Sequence, residues 1–482
     1  MTKSQQHNYI PTIGIECHVQ LKTRTKLFSA VGNDARGADP NTLISHIDLG
    51  MPGALPVLNK EAVNMAMKMA FAFNTKPQRY SHFERKHYFY PDLPKGYQIT
   101  QLSHPIIVGG FVEINLEGRK RKVHLNRVQL EEDAGKNIHP SGKDYSLVDL
   151  NRAGTPLLEI VSEPEIGSAI EAKAYARELY LLVRYLDVSD ADLYHGNMRF
   201  DVNVSVSKDH GKLGTRTETK NLNSFRSVEK AVEYEINRQT ELLEKGGTIT
   251  QETRGWDDAK QKTFSQRGKE EAHDYRYMPE PDIPPVVLSQ AMIDLAGEHL
   301  PLLPHDYRQA FDKLDLEPAA IEVLVGSPAS AVLVNQVIEQ ASKEYAKRVA
   351  NWIVNQSSKP NEDELQEVTL PVTATSAISL SELVAQSKLS SSAAKEVWVE
   401  MMKHGGDPLK IAESKNLLQV SDEAEIAEIV TRVLAANPAA AEDVKNGETK
   451  VIGFLVGQVM KASAGKANPG LAQKLIKKQL RR

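Results

Sequence analysis

The clearest alternation of hydrophobic and polar positions runs from Arg199 to Ser207 and resumes from Arg216 to Lys220. A period of two residues is typical of a strand with one buried face, and the turn-forming stretch 208–211 between the runs predicts a hairpin. The polar side of the first run carries Arg199, Asp201, Asn203 and Ser205, and that of the second carries Arg216, Glu218 and Lys220.

The register of this hairpin decides which polar side chains meet. With a four-residue loop centred on residues 209 and 210, antiparallel pairing predicts Asp201 opposite Glu218. Two carboxylates so placed destabilise a sheet unless a cation or a shared proton lies between them, and hard oxygen ligands favour Mg²⁺, Mn²⁺ or Ca²⁺. The alternatives are a shifted register, or an ion-pair network of Asp201 with Arg199 or Arg216.

A second alternating run, from Ile13 to Leu21, predicts a strand near the N-terminus. Glu16 and His18 fall on its polar face, whereas Cys17 falls on the buried face and cannot meet His18 as a catalytic pair. A Glu-x-His pair on a strand is either solvated surface or part of a metal site, depending on whether other ligands meet it in space.

A further predicted strand, 122–130, ends in Glu131, Glu132 and Asp133. An ordinary solvated turn is one interpretation of these acids, and a metal ligand is the other. Because side chains alternate along a strand, only one of Glu131 and Glu132 can point at a given site.

Two loops combine cations with aromatic residues and prolines. The first, Glu84 to Gln101, carries Lys86 and Lys95, and the second carries Arg267 and Lys269 before a run of tyrosines. Contact with a phosphate is one interpretation of these cations and a solvated basic loop is the other; the second cluster also suits a ribose.

Helical patterns separate the strands and then replace them. Asn59 is a plausible cap for a helix from Lys60 to Phe73, residues 168–171 fit a capping box, and a further helix is predicted from Ser224 to Lys245. After Leu288 strand patterns almost vanish and helix-like segments follow one another. The pattern therefore predicts an α+β region followed by an all-α region.

Composition narrows the class of protein. A chain of 482 residues is too long for one core, and its 41% hydrophobic and 25% charged residues are ordinary soluble values. The net charge of -4 argues against nucleic-acid binding by bulk charge, although residues 445–482 carry nine Lys or Arg against one acid, which suits RNA backbone or a solvated helix face.

The sequence also excludes some sites and compartments. A single cysteine, Cys17, excludes an intramolecular disulfide and a CxxC zinc site. Because no run of about 18 apolar residues and no signal-like N-terminus occurs, we expect a cytoplasmic protein without a membrane partner. Carboxylates, one histidine and loop cations together fit metal-assisted phosphoryl transfer, and no Walker loop, kinase signature or GxSxG is present.

Several longer motifs extend this interpretation. They are Gly14 to Leu21, Tyr90 to Ile99, Leu130 to Lys136, Asn151 to Glu163, Lys220 to Phe225 and Asp274 to Asp282. In this order they resemble the B subunit family of the aspartyl/glutamyl-tRNA amidotransferases, and the resemblance covers nearly the whole chain. It implies an α+β cradle domain related to glutamine synthetase and built on antiparallel strands (1–288), then an all-α helical domain (289–404) and a YqeY-like helical tail that grips tRNA (405–482).

The resemblance also implies an activity and partners. The family uses ATP and Mg²⁺ to phosphorylate the side-chain carboxylate of Glu misloaded on tRNA(Gln) or Asp misloaded on tRNA(Asn). Ammonia from a partner amidase (glutaminase) then displaces the phosphate, which makes the complex a carbon-nitrogen ligase. The expected assembly is a cytoplasmic heterotrimer of this chain with the amidase and a third, small protein of the same complex.

Family positions carry over onto residues of this chain. The implied metal positions are Glu16, His18, Glu131 or Glu132, Asp201 and Glu218; of these, Glu16, His18, Glu132, Asp201 and Glu218 are the catalytic candidates. The candidates for contact with ATP are Lys86, Lys95, Asn203, Ser205, Lys220, Arg267 and Lys269.

The sequence departs from the family in one respect that matters for cofactors. Many relatives carry a cysteine zinc cluster after the first strand, but residues 27–53 contain no cysteine, so no zinc is expected. Two rival functions remain at this point: a non-catalytic tRNA-binding scaffold, which would need the basic tail only, and a free-standing ligase for a small acid, which would need the carboxylates only.

Overall fold

The computed structural model describes residues 9–116, 119–268, 274–356, 370–419, 423–446, 448–463 and 466–480. Within these ranges the chain has a mixed fold of one large sheet, three small sheets and fifteen α-helices. It divides after Pro304 into two compact units, the first containing the strands and the second made of helices. The domain limits at residues 288 and 404 stay predictions.

The strands are β1 (Ile10–Gln20), β2 (Tyr80–Ser81), β3 (Glu84–His87), β4 (Tyr97–Thr100), β5 (Ile107–Val108), β6 (Phe111–Leu116), β7 (Arg119–Glu132), β8 (Lys136–Ile138), β9 (Leu147–Asp149), β10 (Pro156–Ser162), β11 (Met198–Ser207), β12 (Thr217–Leu222), β13 (Glu252–Asp257), β14 (Lys262–Gly268), β15 (Met278–Pro279) and β16 (Val286–Val287). The helices are α1 (Lys60–Ala72), α2 (Ala169–Tyr185), α3 (Phe225–Glu244), α4 (Gln290–Glu298), α5 (Pro304–Asp312), α6 (Pro318–Val325), α7 (Pro328–Gln340), α8 (Lys343–Gln356), α9 (Ala374–Ala385), α10 (Ser391–His404), α11 (Pro408–Ser414), α12 (Glu423–Ala436), α13 (Pro438–Lys445), α14 (Ile452–Ala462) and α15 (Pro469–Leu480).

The predicted N-terminal strand lies at the centre of the large sheet. The strand order is β14-β13-β12-β11-β1-β10-β7-β5, with β6 also paired to β7. The neighbouring pairs described are antiparallel except β12 with β13, which is parallel. Strand β1 therefore receives polar neighbours from both β11 and β10.

One face of this sheet is packed and the other carries the polar side chains. The buried face of β1 consists of Ile13, Ile15, Cys17 and Val19. Helices α2 and α3 cover it: Tyr175 is buried close to Cys17, and the ring of Phe225 lies 6.3 Å from that of Phe200. The prediction that Cys17 belongs to the core is confirmed, and Glu16 and His18 lie on the opposite face.

Local signals for helix starts are confirmed. The side chain of Asn59 accepts a hydrogen bond from the Glu61 amide at the start of α1, and Ser168 does the same for the Glu171 amide at the start of α2. Such caps satisfy amide groups that have no partner inside the helix. Helix α3 begins after the cap Ser224.

The register of the hairpin formed by β11 and β12 differs from the prediction. Asn203, not Asp201, pairs with Glu218, because the connection 208–216 is longer than a four-residue loop. Asp201 instead pairs with Glu16 of β1. The predicted pairing of Asp201 with Glu218 across the hairpin is therefore wrong.

The pairing shifts by one residue beside Asp201. This irregularity between Phe200 and Val202 is a β-bulge, and on β12 Asn221 has a φ of 59°. Asparagine is one of the few residues that adopt this left-handed conformation readily. As a result the Asn221 amide donates a hydrogen bond of 2.8 Å to Asp201 Oδ1.

The long connection between β1 and α1 is organised around a buried lysine. Lys26 Nζ donates to the carbonyl oxygens of Leu43 at 2.7 Å and Ala153 at 2.6 Å, and lies 3.6 Å from Asp48 Oδ2. Asp48 also accepts a 2.9 Å hydrogen bond from the Ser45 amide. A buried ammonium thus fixes a loop that has little regular structure of its own.

The second unit is helical throughout its described residues. Trp352 of α8 and Trp398 of α10 are stacked with ring centroids 5.4 Å apart. In the C-terminal part, α12, α14 and α15 share a core to which Ile426, Leu455 and Ile476 each contribute a fully buried side chain. The lysines of α15, such as Lys474 and Lys477, lie on its exposed side.

Among the described residues no single helix is long and apolar enough to span a membrane. One sharply bent pair, α6 with α7, passes that test of length and composition only when the two helices are taken together.

Candidate functional site

Polar residues from five neighbouring strands lie on the face of the large sheet opposite helices α2 and α3. On β1 these are Glu16 and His18, whose Cα atoms are about 7 Å apart because alternate residues share a face. Glu16 pairs with Asp201 of β11, and His18 pairs with Glu159 of β10. The sheet therefore brings together acids that lie far apart in the sequence.

The first group of possible metal ligands, the histidine cluster, consists of His18, Glu131 and Glu159. Each offers a ligand atom, and these atoms lie within 4.8 Å of one another. Glu131 is buried, while the side chains of His18 and Glu159 are 15% and 12% exposed. Thr100 donates a 2.7 Å hydrogen bond to Glu131, and Gln129 donates one of 2.8 Å to Glu159, so both carboxylates are held in position.

The second group, the carboxylate cluster, consists of Glu16, Asp201 and Glu218, again with ligand atoms within 4.8 Å of one another. Asn203 donates a 3.3 Å hydrogen bond to Glu16 Oε1. Lys220 lies between two of the acids: its Nζ is 3.2 Å from Asp201 Oδ2 and 3.0 Å from Glu218 Oε1. The hairpin register differs from the prediction, but Asp201 and Glu218 still lie in one cluster. Both acids are close to Glu16, and both contact Lys220.

The donor set fits a hard divalent cation. Carboxylate oxygens suit Mg²⁺ or Mn²⁺, and a neutral imidazole can complete such a set. Burial and the nearby Arg199 lower the pKa of His18, which keeps its ring neutral and available as a ligand. Two buried atoms, His18 Nδ1 and Asn203 Oδ1, have no hydrogen-bond partner among the described residues.

Crowded acids at this face raise one another's pKa. Burial first, and then the charge of Glu131, raises the pKa of Glu159. Burial followed by the charges of Glu159, Glu218 and Asp201 raises the pKa of Glu16 to about 7. Asp201 is the exception: burial alone would raise its pKa, but Lys220 and the hydrogen bond from the Asn221 amide lower it.

The raised pKa of Glu16 predicts a pH dependence of stability. Its folded pKa of about 7 exceeds the ordinary 4.5, so its contribution to stability is complete below pH 4.5 and is lost as pH rises through 7. In EDTA, the free energy of unfolding should fall by up to about 3 kcal/mol between pH 4.5 and 8 from this group. Thermal unfolding at several pH values measures the effect.

A matched pair of variants isolates the group responsible. Glu16→Gln should remove this part of the pH dependence, whereas Glu163→Gln should leave it unchanged, because Glu163 belongs to neither cluster and its side chain accepts a hydrogen bond from Asn126 just past the end of β10. An equal pH dependence in wild type and Glu16→Gln would contradict the prediction.

Glu132 does not join either cluster. On β7 it alternates with Glu131 and therefore points away from His18 and Glu159. Its carboxylate accepts a hydrogen bond from the Ile99 amide and forms an ion pair with Lys95. Of the two acids that the sequence left open, the structure brings Glu131 to the clusters, and we withdraw Glu132 as a metal ligand or catalytic group.

The predicted cations are divided between the clusters and their surroundings. Lys86 lies beside the histidine cluster, where the charges of Glu131 and Glu159 raise its pKa against the opposing effect of burial. Its Nζ also lies 4.9 Å from the centre of the Tyr275 ring. Lys95 is engaged with Glu132 and does not face the clusters directly.

The remaining predicted contacts have different positions. Asn203 touches Glu16, whereas Ser205 lies one strand step further along and is only 3.5 Å from the Thr12 carbonyl oxygen. The side chain of Arg267 and all of Lys269 lie outside the described residues.

Sequence reasoning missed Glu159. Its signal is visible, since it is the one charged residue within the apolar strand β10, PLLEIVS. A lone acid inside a buried strand needs a partner, because burying an unpaired carboxylate is costly. That argument could have identified Glu159 without the structure.

A buried ion pair borders the site. Arg199 donates a 3.1 Å hydrogen bond to Asp133 Oδ1, and Gln20 donates one of 2.8 Å to Asp133 Oδ2. Beyond them lies a cavity of about 660 Å³ whose lining includes Gln20, Arg152 and Asn197. None of the residues of the two clusters lines this cavity, which is therefore separate from the candidate metal sites.

Two protein-family models match the sequence of this chain. The model of the GatB/GatE catalytic domain matches residues 11–294, and that of the GatB domain matches residues 334–480. Together these two ranges cover most of the chain and include both clusters.

Individual relatives align with this chain over nearly their full length. The B subunit of the aspartyl/glutamyl-tRNA(Asn/Gln) amidotransferase from Persephonella marina is 47% identical over 98% of this chain and 99% of its own. The protein of the same name from Alkalilimnicola ehrlichii is 48% identical over 97% and 98%. A solved structure, the tRNA-binding domain of glutaminyl-tRNA synthetase from Saccharomyces cerevisiae, covers 37% of this chain with 12% identity and a TM-score of 0.23, which carries no argument.

Proposed function

The chain belongs to the B subunit family of the aspartyl/glutamyl-tRNA(Asn/Gln) amidotransferases, and from this premise we propose the reaction that its site performs. The protein is one component of a tRNA-dependent carbon-nitrogen ligase. It transfers the γ-phosphoryl group of ATP to the side-chain carboxylate of Glu on tRNA(Gln), of Asp on tRNA(Asn), or of both. Ammonia then attacks the acyl phosphate and displaces phosphate, and the product is the side-chain amide.

The observation that carries this proposal is the meeting of two clusters on one sheet face. The histidine cluster and the carboxylate cluster would each hold a divalent cation, for which Mg²⁺ is the natural choice with ATP. Such cations neutralise phosphate oxygens and withdraw charge from the transferred group. Metal affinity is supported by the crowding that raises the pKa of Glu16 and Glu159, because a cation would relieve it.

The residues around the clusters have separate roles in this scheme. Lys86 and Lys220 are cations at the same face and suit the phosphate groups of ATP. Thr100, Gln129 and Asn203 orient the carboxylates by hydrogen bonds. A free carboxylate is a poor acyl donor, whereas an acyl phosphate is a good one, so the carboxylate must be phosphorylated before ammonia attacks. The residues of the site must therefore bind the phosphoryl group while it is transferred.

The remaining components follow from the same premise. Ammonia comes from an amidase that assembles in the cytoplasm with this chain and with a third, small protein of the complex. The large, mostly antiparallel sheet with one polar face is the part that we assign to a cradle of the glutamine synthetase type. The exposed lysines of α15 suit the backbone of the bound tRNA.

The test is phosphate release from ATP by the assembled complex, with and without Glu-tRNA(Gln) and Asp-tRNA(Asn). We expect release to require a misacylated tRNA, and the tRNA that supports it identifies the substrate. Glu159→Gln should reduce release by about 10- to 100-fold through weaker metal binding. Glu163→Gln, the same change four residues further along and just past the end of β10, should behave as wild type.

Two results would contradict the proposal. Undiminished release in Glu159→Gln would mean that the histidine cluster holds no essential cation, as in a non-catalytic scaffold. Release with free glutamate or aspartate and no tRNA would favour a free-standing ligase for a small acid.

A further inference from the structure

Lys220 occupies the position in the carboxylate cluster where a cation is needed. Its Nζ contacts two of the three acids, Asp201 and Glu218, at 3.2 and 3.0 Å. These acids also offer their oxygens, together with Glu16, as possible ligands of a divalent cation. The carboxylates of Asp201 and Glu218 can thus bind either the ammonium group of Lys220 or a metal ion.

The surroundings of Lys220 allow it to leave. Its side chain is 38% exposed, whereas that of Asp201 is 6% exposed. Asp201 is also held without the lysine, because the Asn221 amide at the bulge donates 2.8 Å to Oδ1 and leaves Oδ2 to Lys220. Withdrawal of the ammonium would therefore free ligand oxygens without releasing the carboxylate.

The histidine cluster offers a contrast. There the nearby lysine, Lys86, lies 4.9 Å from the centre of the Tyr275 ring and 5.6 Å from that of Tyr88, and so has aromatic surroundings of its own. Two cations that share the same oxygens repel each other strongly in a partly buried site. A divalent ion at the carboxylate cluster should consequently compete with Lys220 for the carboxylate oxygens. At the histidine cluster we do not expect such competition with Lys86.

We propose that Lys220 is a displaceable counter-ion of the carboxylate cluster. It neutralises Asp201 and Glu218 while no divalent cation is bound, and it moves to the phosphate groups of the nucleotide when one binds. This inference rests on the proposed function, since it takes nucleotide and divalent cation as the ligands. It makes their binding cooperative: the phosphate groups stabilise the displaced lysine, and the vacated oxygens receive the metal.

The test is a titration of the full chain with Mn²⁺, with and without a non-hydrolysable ATP analogue. Electron paramagnetic resonance measures the free Mn²⁺ at each point. Lys220→Met should tighten Mn²⁺ binding at the carboxylate cluster about tenfold without nucleotide and reduce the further gain that the nucleotide gives. Lys220→Arg keeps the positive charge and should resemble wild type. Lys22→Met removes an ammonium from the Asp187 pair, away from the clusters, and should change neither quantity.

Thermal unfolding gives a second measurement that does not depend on activity. Lys220→Met should melt below wild type in EDTA, because the acids lose their counter-ion, and should regain the difference in Mn²⁺. If Lys220 were a permanent structural pair, Lys220→Met would bind Mn²⁺ more weakly than wild type, or with unchanged affinity, and either result overturns the inference.

The proposed function can fail separately. If wild type binds no Mn²⁺ even with the nucleotide analogue, the metal-dependent function is wrong and this inference falls with it. If wild type binds Mn²⁺ and Lys220→Met does not bind it more tightly, only the role of Lys220 is wrong.

Discussion

Replacement of Asp201 by asparagine is expected to lower amide formation on the misacylated tRNA by at least about 100-fold. Asp201 is buried, it belongs to the carboxylate cluster, and its pKa is lowered by Lys220 and the Asn221 amide against the effect of burial. Asparagine has the same shape and its oxygen can still accept the Asn221 amide hydrogen bond. The change therefore removes a charged ligand and leaves the bulge in place.

The measurement is the rate of Gln-tRNA or Asn-tRNA formation by the assembled complex, together with Mn²⁺ stoichiometry. We expect one bound ion to be lost along with the activity. Asp209→Asn makes the same substitution in the turn of the same hairpin, where Asp209 pairs with Lys212 on the surface, and should keep both quantities. Full activity in Asp201→Asn would remove the carboxylate cluster from the mechanism.

The second large effect is on stability and concerns Lys26. Lys26→Met should destabilise the connection between β1 and α1 by about 3–5 kcal/mol. The substitution leaves Asp48 without its counter-ion and the carbonyl oxygens of Leu43 and Ala153 without a donor, all close to a side chain that is fully buried. Buried groups that lose a partner keep the full cost of their desolvation.

Hydrogen exchange of peptides from residues 21–59 measures this local stability. Exchange should become at least about 100-fold faster in Lys26→Met, in line with the loss of free energy. Lys22→Met is the matched control: its ammonium pairs with Asp187 and is 33% exposed, so its loss should cost less than about 1 kcal/mol. Similar protection in both variants would show that the buried ammonium does not organise this connection.

Local sequence signals were sufficient for the elements and for much of the site. Alternation predicted β1, its faces and the burial of Cys17, and it gathered Glu16, His18 and Asp201 on the polar side. Caps predicted the starts of α1 and α2 because a cap depends on residues only two or three positions apart.

What local signals could not provide was the partner of each strand. The register of β11 and β12 depends on how many residues the connection uses, and the bulge at Asn221 changes it again. Alternation predicted that the side chains of Glu131 and Glu132 point to opposite faces of the sheet. Only the pairing of β7 with β10 decides which of the two meets His18. The central place of β1, between strands far along the chain, has no local signature at all.

That central place has a consequence for the time course of folding. Glu16 meets Asn203 across 187 residues of sequence. Closing loops of that length is slow, and during synthesis the N-terminal strand has no partner on its β11 side until the ribosome has released residue 207. The carboxylate cluster, which needs Asp201 and Glu218, therefore forms only after helix α2 has been made, whereas all three residues of the histidine cluster precede α2 in the chain. Cation binding at the carboxylate cluster would report the completed sheet rather than an intermediate on the way to it.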